Sequence, residues 1–334
     1  MNNISIIIPT LNAQAYIYQC LLSIFSQDYP KHLVEVIVAD GGSTDKTLEI
    51  CSQFQVKVIQ NRLKTAEAGK AIGLRVSKGD LIAFIDSDNI LPVSNWLSSM
   101  TEPFTDDSII GAEPMYFHYD KHDSLLTRYF ALLGMGDPLC LYIGNYDHFC
   151  HITQRWTGLQ LDATVTDQYT KFLLELHNLP TLGANGALLR RSVLEEILPL
   201  EYYFDIDVLA NIATRKHRYF AKVHTSIKHI YATTWIGFIK KQNRRVVDYL
   251  YYSKQTHRSY NWSGFSKRHI ISFVLQVCTL LPLFIHSVLG FSRVRDKAWI
   301  AHPLACLLTL GIYGRAVIRH VFIGSLQPAD RTNW

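Results

Sequence analysis

Along the first ninety residues, short apolar runs alternate with stretches in which apolar residues recur at helical spacing. Ile4-Ser5-Ile6-Ile7-Ile8 is a β-branched run stopped by Pro9. Between Gln14 and Gln27, the positions Tyr16, Ile17, Cys20, Leu21, Ile24 and Phe25 fall on one helical face. Val34 to Ala39 reads as a second strand, Lys46 to Gln53 as a short helix, and Val56 to Ile59 as a third strand. Ala66 to Val76 is a further helix and Leu81 to Ile85 a fourth strand. Strands that are apolar throughout and joined by helices predict an α/β fold, with a mostly parallel sheet covered on both faces. In such sheets ligands bind beyond the carboxyl ends of the strands. Pro9-Thr10, Asp40-Gly41-Gly42-Ser43 and Asp86-Ser87-Asp88 all fall at that edge.

The pattern changes further along. Residues 115–160 are rich in aromatics and histidine, with an amphipathic helix at Leu125 to Leu133 before Gly134; Gly136, Asp137 and Pro138 keep this stretch from spanning a bilayer. A helix is expected from Asp207 to Lys216. Ile270 to Phe291 is 22 residues without a charge, about 33 Å as one helix against about 30 Å of hydrocarbon. Trp299 to Gly314 is a second apolar stretch, interrupted by His302-Pro303 and continuing through Arg315 and Arg319 to Gly324. Together they predict a C-terminal hydrophobic helical hairpin, the alternative being a buried hairpin in a soluble domain. If both segments cross, the loop Ser292 to Lys297 lies outside, and its three basic residues oppose the positive-inside tendency. A re-entrant or interfacial hairpin keeps that loop on the cytosolic side. Both arrangements put the protein at a membrane.

Composition agrees with that picture. The 334 residues are 48% hydrophobic and 18% charged, with a net charge of +5. This basic excess suits an anionic membrane surface or a phosphorylated ligand; it is too small and scattered for nucleic acid. Six cysteines without a CxxC pair form neither a zinc pattern nor a disulfide framework. Cys278 and Cys306 read as small core residues, and a reduced cytosolic setting is the simpler one. The N-terminus lacks a charged n-region and a cleavage site, so it reads as a strand and not a signal peptide.

Asp86-Ser87-Asp88 is the sharpest chemical signal. Two carboxylates one residue apart, straight after a buried strand, suit a hard divalent cation, and such a cation suits a diphosphate. Asp and Ser also favour strand-ending turns. The surrounding strings decide between these. Ile7-Ile8-Pro9-Thr10-Leu11-Asn12, Val38-Ala39-Asp40-Gly41-Gly42-Ser43-Thr44-Asp45-Lys46-Thr47 and Phe84-Ile85-Asp86-Ser87-Asp88-Asn89 resemble, in order and spacing, family 2 glycosyltransferases with the GT-A fold. The likeness covers roughly residues 4 to 245.

The resemblance implies an inverting transfer from a nucleoside-diphosphate sugar, UDP- or GDP-linked, with Mg²⁺ or Mn²⁺. It implies that Asp40 and the Pro9-Thr10 turn, with Asn12, cradle the nucleoside. It gives Asp88 to the metal and Asp86 to the sugar or a metal-bound water. Lys70, in Ala66-Glu67-Ala68-Gly69-Lys70-Ala71, would approach the diphosphate, or else be an exposed helix lysine. Gly183-Ala184-Asn185-Gly186 resembles the segment under the donor sugar; a plain hairpin turn competes. In Tyr203-Phe204-Asp205-Ile206-Asp207 the family expects Glu-Asp, and Phe204 stands in the Glu position. Asp205 is the implied base, with Asp207 as substitute; an apolar neighbour raises a carboxyl pKa by desolvation. The competing role for Asp205 is a helix cap. Gln242 and Arg245 loosely match QxxRW with Val246 in place of Trp, so Arg244 or Arg245 would clamp the diphosphate or rest on anionic lipid. His229 fits a position that contacts metal or phosphate.

The expected layout is a GT-A domain over 1–245, with 115–180 on the acceptor side, then a basic, aromatic interfacial linker over 246–269. A membrane hairpin over 270–324 and a tail over 325–334 complete it. The hairpin and the aromatic middle point to a membrane-lipid acceptor, such as a polyprenyl phosphate or a polyprenyl-diphosphate-linked saccharide, used in glycan or cell-envelope polysaccharide synthesis, with the catalytic domain facing the cytoplasm. A processive synthase is disfavoured by the incomplete QxxRW element and the short hydrophobic segments. A non-catalytic scaffold has only the missing Glu in its favour. A nucleotidyltransferase would need a glycine-rich, basic signature after Ile8 that this chain lacks.

Overall fold

The computed structural model describes residues 1–215, 218–252, 259–260 and 267–324. The predicted tail, parts of the interfacial linker and Lys216 lie outside the described residues. The chain divides into two compact units.

The first unit comprises Met1–His118 and Gln160–His229. It carries β1 (Ile4–Thr10), α1 (Ile17–Phe25), β2 (Val34–Asp40), α2 (Thr47–Cys51), β3 (Lys57–Gln60), α3 (Ala66–Val76) and β4 (Leu81–Phe84). Then come β5 (Asn89–Ile90), α4 (Trp96–Thr101) and β6 (Ile109–Phe117). After the excursion into the second unit, the chain adds β7 (Ala163–Val165), β8 (Tyr169–Leu173), β9 (Ala187–Arg190), α7 (Arg191–Glu195), α8 (Asp205–Ala213) and β10 (Tyr219–His229).

One sheet runs β3-β2-β1-β4-β9-β6-β10-β8-β7, with β5 beside β10. Its first four strands are parallel, in register from Ile4 opposite Val34 to Thr10 opposite Asp40. The other half is mixed. β9 lies antiparallel between β4 and β6, β6 and β10 are parallel, and β8 and β7 run antiparallel at the far edge. The wholly apolar strands bury Ile6, Ile8, Val36, Val38 and Ala83 together with Ile17, Leu21 and Trp96 in one core. Pro9 does not stop β1, which continues through Thr10. Pairing with β4 ends at Ile7 opposite Phe84, so the missing N–H of Pro9 faces a ladder that has already finished and no bond is lost.

The second unit, Tyr119–Leu159 with Ile230 onward, is helical among the described residues. It holds α5 (Leu125–Leu133), α6 (Pro138–Ile143), α9 (Trp235–Tyr252), α10 (Lys267–Thr279), α11 (Leu281–Arg293) and α12 (Ala301–Ile323). Tyr129, Phe130, Tyr231, Phe238 and Trp299 build its core. Ile270–Phe291 is not one helix. It breaks at Leu280, in the left-handed region at φ 62°, and α10 meets α11 at 91°. A continued helix would press the Pro282 ring against the carbonyl of Cys278 and leave that carbonyl without a donor. Cys306 is buried as expected, but Cys278 sits on an exposed face of α10. Among the described residues, one helical stretch, Lys297–Phe322, is long and apolar enough to cross a membrane.

Candidate active site

The parallel register brings three polar clusters to one rim of the first unit. Thr10 and Asp40 are partners at the ends of β1 and β2, and Asp86 and Asp88 follow the end of β4. Asp40 is not left free by the turn after it. Its Oδ2 accepts from the backbone N–H groups of Gly42 at 2.8 Å and Ser43 at 3.0 Å, and its Oδ1 from the Ser43 hydroxyl at 2.5 Å. The N-cap of α2 is Lys46, without a side-chain bond. Asn12, at φ 49°, ties the two loops together instead: its N–H donates to Ser43 Oγ and its Oδ1 accepts from Thr44 N–H, both at 2.9 Å. Pro9, Thr10, Asn12 and Asp40 therefore form one braced wall.

The second wall pairs the Asp86–Asp88 loop with the segment before β9. Asn89 accepts from the Asp86 N–H at 3.1 Å through its Oδ1 and reaches Asn185 Oδ1 at 3.3 Å through its Nδ2. Gly186 N–H donates to Phe84 O at 2.9 Å. Gly183, Asn185 and Gly186 all have positive φ, at 97°, 52° and 90°. A Cβ on Gly186 would stand 2.7 Å from Ile227 Cδ1, and one on Gly183 would stand 3.1 Å from Asp205 Cβ. The hairpin-turn alternative does not hold, because β8 and β9 are not neighbours in the sheet.

Beside the aspartate loop, His229 Nε2 lies 3.7 Å from Asp88 Oδ2. The antiparallel pairing of His229 with Asn89 puts it there. Two donors each about 2.1 Å from a shared ion are at most about 4.2 Å apart, so a carboxylate and an imidazole at this separation fit one small divalent cation.

Asp205 is the first residue of α8, and the N-cap position belongs to Phe204. Its carboxylate is held by Lys70 Nζ, at 2.8 and 2.9 Å from the two oxygens. Lys70 is 4% exposed, so it is not a surface lysine; the small residues around it on α3 let that face press on β1, with Gly69 against Pro9 and Gly73 against Ile7. Burial opposes the Lys70 charge, but Asp205, Asp86 and Glu67 raise its pKa above the ordinary value. Burial pushes the Asp205 carboxyl up to about 6; Lys70 pulls it down, and the nearby charges of Asp86 and Glu67 add to the rise. The Asp205 side chain keeps 24% of its surface open. Asp207 lies in the same first turn of α8.

The rim thus gathers Pro9, Thr10, Asn12, Asp40, Lys70, Asp86, Asp88, Gly183, Asn185, Gly186, Asp205, Asp207 and His229 within one unit. A sequence profile described as "Glycosyl transferase family 2" matches residues 5–198. The chain belongs to that family. Among curated relatives, "Glycosyltransferase GlyG" of Streptococcus pneumoniae is 32% identical over 140 residues, 39% of this chain and 44% of that protein. The "Dolichyl N-acetyl-alpha-D-glucosaminyl phosphate 3-beta-D-2,3-diacetamido-2,3-dideoxy-beta-D-glucuronosyltransferase" of Methanococcus voltae is 37% identical over 111 residues, 31% of this chain and 34% of that protein. The matches thus span less than half the length of these relatives. The fold is GT-A, similar to the "Mannosyltransferase PcManGT from Pyrobaculum calidifontis in complex with GDP-Man and Mn2+" at a TM-score of 0.54 and 13% identity, covering 96% of this chain and 88% of that one.

Arg244 and Arg245 lie on α9, in the second unit. Arg245 Nη1 is 3.7 Å from Asp137 Oδ2. Gln242 is buried, donating to Gly136 O at 2.9 Å and accepting from the Tyr313 hydroxyl at 2.8 Å. The QxxR element therefore ties α9 to α12 and to the residues before α6.

Two site-supporting residues escaped the sequence reading. Glu113 on β6 is fully buried; it accepts from Lys222 Nζ on β10 at 2.7 Å and from Gly183 N–H at 2.8 Å. This ion pair props the glycine-rich segment from below. A lone acid and a lone base, each inside an apolar strand, were the available signal.

Proposed function

We propose that this protein is an inverting, divalent-metal-dependent glycosyltransferase that moves a hexosyl group from a nucleoside-diphosphate sugar to a membrane-associated, polyprenyl-linked acceptor. The observation that carries the reading is the assembly of Asp40, the Asp86–Asp88 loop with His229, and Asp205 at the carboxyl ends of the sheet in one unit. The Asn12-braced loops form a wall for the nucleoside, and the positive-φ backbone at Gly183–Gly186 leaves room for a sugar to approach closely. Asp88 and His229, with Asp86, would hold Mg²⁺ or Mn²⁺, which when bound supplies charge neutralisation for the departing diphosphate.

Asp205 is the group suited to the proton. With its pKa near 6 it is mostly ionised at neutral pH yet basic enough to accept a proton efficiently. The acceptor hydroxyl oxygen bonds to the anomeric carbon as the bond from that carbon to the diphosphate oxygen breaks. The hydroxyl proton passes to Asp205, and Lys70 keeps that carboxylate oriented and ionised beforehand. The lipid-linked acceptor is supported by the exposed apolar helices of the second unit and by the dolichyl-linked substrate in the name of the Methanococcus voltae relative.

The test is nucleoside diphosphate release by detergent-purified protein. A panel of UDP- and GDP-sugars, GDP-mannose among them, is offered with Mg²⁺ or Mn²⁺, with and without polyprenyl phosphate. Metal-dependent release from one donor that is stimulated by the lipid and lost in Asp88→Ala and Asp205→Asn supports the reading. Release that ignores the metal or survives both substitutions refutes it.

A further inference from the structure

The helices of the second unit specify how this protein meets a bilayer. We infer that α10, α11 and α12 form a monotopic anchor: the α10–α11 elbow dips into one leaflet and returns, and α12 does not cross. The inference rests on the membrane association proposed above and adds its geometry.

Both ends of the elbow are held on one side. The exit of α11 leads to Asp296, whose Oδ2 accepts from Arg128 Nη1 at 3.2 Å, while Trp299 packs edge-on to Tyr129. Arg128 and Tyr129 belong to α5. That helix starts six residues after Tyr119 opens the unit, a reach of at most about 20 Å, too short to carry Arg128 across about 30 Å of hydrocarbon. The entrance is fixed in the same way. α9 starts six residues after His229 and carries Lys240, Lys241, Arg244, Arg245 and Asp248, a content that excludes it from a hydrocarbon core. The sequence from 253 to 266 is polar and offers no span. Lys267 therefore begins α10 on the side that Arg293 returns to.

The elbow has the form this requires. Its exposed side chains near the bend are mostly apolar, among them Leu275, Leu280, Leu281, Phe284, Ile285 and Val288; the exposed Thr279 turns its hydroxyl back onto Leu275 O at 2.9 Å. Its two ends are basic and exposed, with Lys267 and Arg268 at the entrance and Arg293, Arg295 and Lys297 at the exit. Each arm has 13 residues, about 20 Å. With both arms inclined equally, the 91° bend lowers the apex by about 14 Å, roughly one leaflet. Anionic headgroups match the basic ends, which fixes the occupant as one leaflet of an anionic bilayer.

α12 is long enough to cross, but its middle is polar. Tyr313, the thirteenth of its 23 residues, shares its one hydroxyl proton between Asp137 Oδ2 at 2.6 Å and Gln242 Oε1 at 2.8 Å, and Asp137 is the carboxylate beside Arg245. Arg315 and Arg319, two and six residues later, are exposed. An upright α12 would put this charged group at the bilayer centre, where such groups are strongly disfavoured.

The test is site-directed labelling of the full chain in sealed membrane vesicles of both orientations. A membrane-impermeant maleimide is applied, and peptide mass spectrometry identifies which cysteine reacted. Lys121→Cys marks the side on which α5 begins, Ser292→Cys reports the exit of α11, and Arg319→Cys the far half of α12; the native Cys278 reports the elbow. The expected result is that positions 121, 292 and 319 label from the same face while Cys278 stays protected until the protein is denatured. Label at 292 from the opposite face would make α10–α11 a broken span, and label at 319 from that face would make α12 a crossing helix; either overturns the inference. Protein recovered in the soluble fraction, and failing to float with vesicles of equal phosphatidylglycerol and phosphatidylcholine, would instead overturn the membrane association beneath it.

Discussion

The Lys70–Asp205 pair makes a sharp kinetic prediction. Lys70→Met keeps the length of the buried side chain and removes its charge. The ammonium touches both carboxylate oxygens, at 2.8 and 2.9 Å, and an opposite charge that close holds a carboxyl pKa down by roughly 1 to 3. Without it, burial and the charges of Asp86 and Glu67 act unopposed, and Asp205 should rise from about 6 to roughly 7 to 9. The sign follows directly: the base works ionised, so activity falls as pH drops through its pKa, and a higher pKa moves that fall to higher pH. At pH 7 the ionised fraction goes from about 90% to between roughly 50% and 1%, a 2- to 100-fold loss in kcat/KM that recovers about one pH unit above the new pKa, at roughly pH 8 to 10. The assay is the pH profile of kcat/KM for both enzymes with saturating metal. An acid limb near pH 6 in the variant would refute the argument that Lys70 sets the base. If Lys70 instead gripped the diphosphate, the donor KM would rise at every pH and the limb would stay in place.

Three other outcomes follow from the same geometry. His229→Ala should weaken Mn²⁺ binding, read by the EPR signal of free Mn²⁺, by no less than the roughly 10–100-fold that loss of a supporting group costs at metal sites; unchanged affinity would remove His229 from the ligand set. Glu113→Gln removes the carboxylate charge that Lys222 Nζ meets at 2.7 Å in a fully buried pair, a loss of about 3 to 5 kcal/mol. At about 2–4 °C per kcal/mol for a unit of this size, calorimetry should find the melting temperature lowered by roughly 6 to 20 °C. A drop of only a degree or two would mean that the pair is not isolated from water. Gly186→Ala forces a side chain into φ 90° and against Ile227, a strain of about 1–3 kcal/mol; the donor KM should rise, and an unaltered KM would detach this segment from the donor.

Much of this architecture is readable in one dimension, for a definite reason. β1 to β4 are each apolar throughout and each followed by a helical period, so local pattern alone dictates parallel strands. It also dictates the edge at which Asp40 and Asp86 emerge. β9 breaks the inference because Ala187–Arg190 has the same apolar character as a parallel strand, and only its neighbours reveal that it runs the other way. The contacts that tune the site are farther out of reach. Lys70 and Asp205 stand 135 positions apart, and Glu113 and Lys222 stand 109 apart. No spacing rule connects them, and each was visible only as a charge in an environment too apolar to leave it alone. Lys70 sits among Ala68, Gly69, Ala71 and Gly73, residues small enough that the helix must lie tight on β1. An ammonium trapped there requires a carboxylate, and the candidates at the rim are few. The C-terminal helices show the converse. Pro282 was visible from the start, yet the uncharged run around it reads as one span, because hydropathy averages over a window and a missing N–H acts at a single position. The 91° elbow comes from that single position, and it turns a run long enough to cross a bilayer into two arms that each reach about halfway.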